Sequence, residues 1–370
     1  MPNPAPKIVF LLLMVFLLAA CSKKEPIRIG FVGSLTGRNA DLGVAARDAT
    51  LMVAEELNRT GGIDGHPVEV IVKDDAQDPE TAVKVVDELI RENVVAIVGH
   101  IASSMTMATL PAVNRARIVM VSPTSSSNDL SGQDDYFFRV MEPNRLFARH
   151  QAETCRKLGI RRVSVIYDLQ NKAYTVDIFA AFREELVRNG GVIISEVSFD
   201  SAEKPAFLPL VRQLDLKKSN GVLVLGSSVD TITIIQQIRK ADPSITILSG
   251  ACGIAQRDLL QAAGKTLDNV VFTLPVDIQC PLDSYREFSD AFEKRYHYAP
   301  TMAAVLAYDA TNLIAVALKK NSDPGQLRAT IKGIGSFAGV QGPLVFDQYG
   351  DPSRLLHVIR YRDGREEIIR

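Results

Sequence analysis

The sequence predicts an α/β protein made of two doubly wound, Rossmann-like lobes in tandem. Three observations predict it. Short β-branched apolar runs alternate with amphipathic stretches from Ile27 to Leu274, and this alternation starts afresh near Phe137. Beyond Pro275 three helical stretches follow one another with no strand between them, so they must pack back onto a lobe already formed.

In chain order, the first lobe has strands at 27–32, 68–73, 94–98 and 118–121, separated by helices at 43–58, 79–91 and 104–115. Gly61 and Gly62 stop the first helix. Asp78 caps the second, Pro79 opens it, and Ala82, Val85, Val86, Leu89 and Ile90 line one face. The second lobe reads strand 137–140, helix 147–158, strand 163–167, helix 174–189, strand 192–199, helix 207–218, strand 221–225, helix 231–240 and strand 246–248. A helix at 256–263 and a strand at 270–274 close it. Helices at 282–296, 301–319 and 324–332 come next, then a hairpin from strand 344–346 through the turn 347–351 to strand 355–361, and a last strand at 366–369.

With 370 residues, 46% of them hydrophobic, the chain can bury two cores. Its 42 Lys and Arg nearly balance 43 Asp and Glu, so nothing favours a nucleic-acid partner. His66, His100, His150, His297 and His357 show no ligand spacing, and neither a metal nor another cofactor is expected. The loop Gly33-Ser34-Leu35-Thr36-Gly37 lacks dinucleotide spacing, and no P-loop or G-x-S-x-G elbow occurs. Asp74 and Asp75 read as turn and capping residues, while Asp168 and Asp277 follow strands, each without a plausible catalytic His or Cys partner nearby in sequence. No nucleophile, base and oxyanion set assembles, so the chain reads as a binding protein and not an enzyme.

Lys7 precedes an apolar run at 8–18 that ends in Leu18-Ala19-Ala20-Cys21, which resembles a bacterial lipobox. The expectation is a signal peptide at 1–20, lipidation of Cys21, a polar tether at 21–26 and an extracytoplasmic, membrane-anchored body. Cys155, Cys252 and Cys280 are then left in an oxidising compartment, where a Cys252–Cys280 bridge and two free buried thiols both fit.

In parallel sheets, ligands sit outside the carboxyl ends of the strands, where loop amides and helix N-termini hold anionic groups. The strands at 94–98 and 118–121 both end in hydroxyl-rich loops, making Ser103, Ser104, Thr124, Ser125 and Ser126 candidates for holding a small ligand's carboxylate. Alternatively, Ser103 or Ser104 only caps its helix and 125–128 is only a loop.

The lipobox, Ile27 through Gly37, Gly61-Gly62-Ile63-Asp64-Gly65, Asp74 through Pro79, Gly99-His100 with Ser103-Ser104, and Ser122-Pro123 come in an order that resembles the leucine/isoleucine/valine-binding proteins of ABC importers. The resemblance implies the type I periplasmic binding protein fold, with two lobes joined by a three-segment hinge at about 140–144, 274–277 and 341–344. The lobes would be 27–140 plus 277–341 and 141–276 plus 342–370, closing on the ligand. Its implied partners are a small-molecule ligand and an ABC permease. Position by position, Ser103 matches the serine that binds the ligand carboxylate, Thr124 and Ser126 the loop that contacts carboxylate and amine, and Tyr174 the aromatic that covers the ligand.

Cys252, however, stands where the family has an acid for the ammonium, and Ser227 and Leu42 stand where it has aromatic residues. A neutral thiol cannot replace charge-assisted hydrogen bonds of about 1.5–3 kcal/mol. A branched-chain or other apolar amino acid is the first ligand class, its amine held by Asp230 or by carbonyls. An amine-free aromatic or short-chain carboxylate is the second, and a ligand-sensing signalling module is the alternative role. Replacing Ser103 and Tyr174 together by Ala should abolish ligand stabilisation and leave the ligand-free melting midpoint near wild type.

Overall fold

The computed structural model describes residues 24–254, 263–277, 279–362 and 365–369. The signal peptide, Cys21 and nearly all of the helix expected at 256–263 lie outside them. Strands β1 (Ile27–Gly33), β2 (Val68–Asp74), β3 (Ala96–Val98), β4 (Val119–Ser122) and β5 (Phe137–Arg139) form a parallel sheet in the order β2-β1-β3-β4-β5. Helices α1 (Ala40–Arg59), α2 (Pro79–Arg91) and α3 (Ser103–Ala116) connect them. Every residue of β3 and β4 is buried, as expected where helices cover both faces of a parallel sheet. Helix α2 starts as the sequence requires: the Asp78 side chain accepts the Thr81 N–H, Pro79 follows, and Ala82, Val85, Val86 and Leu89 are buried.

The second sheet contains β6 (Arg162–Asp168), β7 (Val192–Phe199), β8 (Gly221–Leu225), β9 (Thr246–Ser249) and β10 (Val270–Leu274), all parallel. Antiparallel β14 (His357–Arg362) and β15 (Arg365–Ile369) extend it, giving the order β15-β14-β10-β9-β8-β6-β7. Its helices are α4 (Asn144–Lys157), α5 (Lys172–Arg188), α6 (Phe207–Val211) and α7 (Ser228–Ala241). The helix expected at 207–218 stops at Val211 and gives way to turns. Two similar α/β lobes in tandem are therefore the architecture.

Three helices after Pro275, α8 (Asp283–Tyr296), α9 (Met302–Lys320) and α10 (Leu327–Lys332), return to the first lobe. Helix α9 is apolar and long enough to cross a bilayer, but it is buried against α1, β3 and β4 and serves as a core helix.

The C-terminal hairpin differs from expectation. The turn at 347–351 joins β12 (Gly342–Phe346) to β13 (Pro352–Ser353), and β12 also pairs with β11 (Ser336–Gly339), a strand the sequence reading missed. This small sheet stays with the first lobe. Arg139 donates from Nε to Asp351 at 2.8 Å, and the Val340 N–H donates to Asp309 of α9 at 2.9 Å. Gly350, at φ 92°, allows the turn to pass over Phe138, since a Cβ there would stand 2.4 Å from the ring. The residues after it leave for the second sheet because Val358, Ile359 and Tyr361 bury there, with Tyr361 edge-on to Phe272. The chain thus passes between lobes at 140–143, after Leu274 and at 354–356, the last of these later than the expected 341–344.

Candidate functional site

Loops at the carboxyl ends of both sheets meet in one cleft. Asn39, Leu42, Ile101 and Ala102 line it from the first lobe, and Asp168, Asn171, Tyr174, Thr175, Gly226, Ser227 and Cys252 from the second. The cavity between them is about 20 Å³, roughly the size of one water. A ligand of amino-acid size therefore enters only if the lobes or the wall side chains move.

Of the residues predicted from sequence, Tyr174, Ser227 and Cys252 face this cavity. Ser103, Ser104, Thr124 and Ser126 do not line it. The Ser103 Oγ accepts the N–H groups of Ser126 at 3.0 Å and Ser127 at 3.4 Å, so it ties two loops together and does not cap α3. Thr124 donates to the Ile101 carbonyl at 2.7 Å, and the Ser125 hydroxyl bonds that of Thr106 at 2.7 Å. The Ser126 hydroxyl is buried with no partner among the described residues.

Ser104 joins the lobes. Its N–H donates to Asn171 at 3.1 Å and its hydroxyl accepts from the Ala173 N–H at 3.2 Å, which sets the N-terminus of α3 against that of α5. Ser104 and Ala173, the neighbours of Ser103 and Tyr174, thus meet across the lobes, while of these four only Tyr174 lines the cavity. A second link runs from Asn128, whose backbone and side-chain N–H groups donate to Asp177 at 2.8 and 2.9 Å.

Two further bridges were not predicted as such. Arg38, after the Gly-bearing loop, forms an ion pair with Asp230 of α7, and Asp41 accepts a hydrogen bond from Ser228 at 3.1 Å. Ser227 caps α7 and donates to Asp230 at 2.7 Å. Burial raises the Asp230 carboxyl above its ordinary range, with Ser227 and Arg38 pulling the other way, and burial also raises Asp41. Asp168 is held by Ser201 through N–H and hydroxyl at 2.9 and 2.7 Å. No local sequence signal marks Arg38, because its partner lies 192 residues away.

Cys155, Cys252 and Cys280 are free thiols. Burial pushes the Cys252 thiol up to about 12, with Asp41 adding to the effect and the Tyr174 hydroxyl opposing it through a hydrogen bond. A thiol so held stays protonated and is a poor nucleophile. Beneath the first-lobe wall, Asp75 accepts from Ser34 at 2.8 Å and the Gln77 N–H at 2.9 Å, and meets His100 Nδ1 at 2.8 Å. Ser34 bonds the acid and not the imidazole, so this buried trio braces loops. Among the described residues no group of three or more His, Cys, Asp or Glu is placed to hold a metal.

Two sheets of parallel strands presenting loops to a shared cleft, stitched across by hydrogen bonds and joined by three crossings, define a two-lobed solute-binding protein. The chain belongs to the periplasmic binding protein family, whose model matches residues 26–365. It is similar to the leucine-, isoleucine-, valine-, threonine- and alanine-binding protein of Pseudomonas aeruginosa, 23% identical over 88% of this chain and 87% of the relative. The Leu/Ile/Val-binding protein of Escherichia coli K12 is also 23% identical, over 88% of each. Among solved structures, the branched-chain amino acid transporter substrate-binding protein of Streptococcus pneumoniae in complex with isoleucine has a TM-score of 0.85 at 24% identity, covering 93% of this chain and 99% of that one. A solute-binding protein of an R. palustris ABC transporter in complex with benzoate has a TM-score of 0.83 at 18% identity, covering 93% and 95%. At these identities the likeness to solved structures establishes the fold. Family membership implies an extracytoplasmic location.

Proposed function

We propose that this chain is a receptor that closes its lobes on a small carboxylate-bearing ligand, an apolar amino acid in the first reading, and delivers it to an ABC permease. Lipid on Cys21 would hold it at the membrane. One observation carries the reading: loops from the carboxyl ends of both sheets line a single cleft, with Asn39, Leu42, Ile101 and Ala102 of the first lobe facing Tyr174, Ser227 and Cys252 of the second. Loop amides at the carboxyl ends of parallel strands attract a carboxylate. Asp230, now paired with Arg38 from the other lobe, suits an ammonium that takes the place of Arg38.

The relatives named for leucine, isoleucine and valine support this class. The benzoate-bound neighbour and the protonated thiol of Cys252 support the second reading, an amine-free carboxylate. Melting the protein with leucine, isoleucine, phenylalanine, benzoate and short-chain acids decides between them, since a ligand at 100 times its Kd stabilises by about 2.7 kcal/mol. The reading is lost if no carboxylate raises the midpoint. Cys21→Ser should release the protein from the membrane fraction.

A further inference from the structure

Two of the three lobe crossings carry charged residues that meet in the interior. Glu142, in the first, is fully buried; neither carboxyl oxygen has a side-chain partner among the described residues, and the backbone N–H groups of Glu142 and Arg354 only weakly oppose the effect of burial on it. Arg354, in the third, donates from Nη2 to Asp309 of α9 at 2.6 Å, while its Nη1 is buried with no partner. Arg139, at the end of β5, is the other cation acting on Glu142, and it is itself paired with Asp351 at 2.7 Å. His357, opening β14, is influenced by Arg354 and by Asp277.

We propose that Glu142 and Arg354 form a proton-operated brace between the first and third crossings, which sets the angle between the lobes and so regulates closure of the cleft. Burial lifts the Glu142 carboxyl to about 8, outweighing the attraction of Arg354 and Arg139, so the acid is uncharged at neutral pH. In that form it leaves Arg354 turned toward Asp309. Once ionised, a buried carboxylate beside a cation with an unused N–H is costly unless the two join. Joining requires hydrogen-bond distance between the Glu142 carboxylate and Arg354 Nη1, and each residue sits on a segment that runs between lobes. Such segments absorb the dihedral change of hinge closure, so drawing them together shifts the lobe equilibrium. Neither residue lines the cavity, so the action is on closure and not on ligand contact.

The inference rests on the proposed receptor role only for its consequence, and its test uses the protein without ligand, so the two can fail separately. Infrared titration from about pH 6 to about pH 9.5 should show a protonated-carboxyl band that disappears near pH 8 in the wild type and is missing in Glu142→Gln. Small-angle scattering should show the radius of gyration changing over the same interval in the wild type and staying flat in Glu142→Gln. The brace is overturned if the band is unaltered by the substitution, or if both proteins follow the same radius curve. Should Glu142→Gln fail to fold, the wild type alone decides: a band titrating near pH 8 at constant radius also overturns the proposal.

Discussion

The hydroxyl of Tyr174 fills the space that a side chain at Gly250 would need, for a Cβ there would stand 2.1 Å from that oxygen. Gly250→Ala therefore drives the phenol off the Cys252 thiol and into a cavity of about 20 Å³. Overpacking of this kind costs about 1–3 kcal/mol. Urea unfolding should show that loss, and ligand-dependent stabilisation should fall with it. An unchanged unfolding midpoint with full ligand response would mean that Tyr174 has another place to go.

Ser103→Ala removes the acceptor of two buried loop N–H groups, those of Ser126 and Ser127. Leaving buried donors unmet costs about 1–3 kcal/mol. The ligand-free melting midpoint should drop, contrary to the expectation from sequence that replacing Ser103 and Tyr174 together spares it. Calorimetry of the single variant checks this.

Asp230→Asn separates the two ligand classes. Where Asp230 receives an ammonium, the variant should bind leucine at least about tenfold more weakly, which is 1.4 kcal/mol, while its binding of 4-methylpentanoate, the same skeleton without the amine, is unchanged. Titration calorimetry with both acids reads the ratio. Equal losses for the two would show that Asp230 acts by holding Arg38 across the cleft and not by touching ligand.

Asp75 gives a pH signature. Burial opposes its ionisation, but the hydrogen bond and charge of His100, the Gln77 N–H and the Ser34 hydroxyl together hold its carboxyl below the ordinary 3.8. A depressed carboxyl adds stability that is present above the unfolded-state value and lost as pH falls through the folded-state value. Asp75→Asn should therefore be less stable than wild type at pH 6, with the gap narrowing below about pH 4. Urea midpoints at the two ends of that range measure it; a gap that does not vary with pH would remove the acid from the argument.

What the sequence revealed follows from how local its signals are. The alternation of apolar runs, the Asp78-Pro79 helix start and the buried length of α9 are written within a few residues of one another, and all appear as elements. Strand β11 escaped notice because Ser336–Gly339 is four residues with one buried side chain, Phe337. The hairpin was misjoined because the turn was legible while the partner of each strand was not. In the cleft, Tyr174, Ser227 and Cys252 were singled out by the family resemblance, and all three line the cavity. Arg38 and the pairing of Asn128 with Asp177 depend on contacts between distant residues, which no spacing rule records.

The small sheet of β11, β12 and β13 bears on how far the molecule can open. Because it is pinned to the first lobe through Asp351 and Asp309, only residues 354–356 separate it from β14 in the second. Three residues stretch to roughly 10 Å. So short a leash forbids the halves from drifting apart as bodies on a string; they can only rock about that edge.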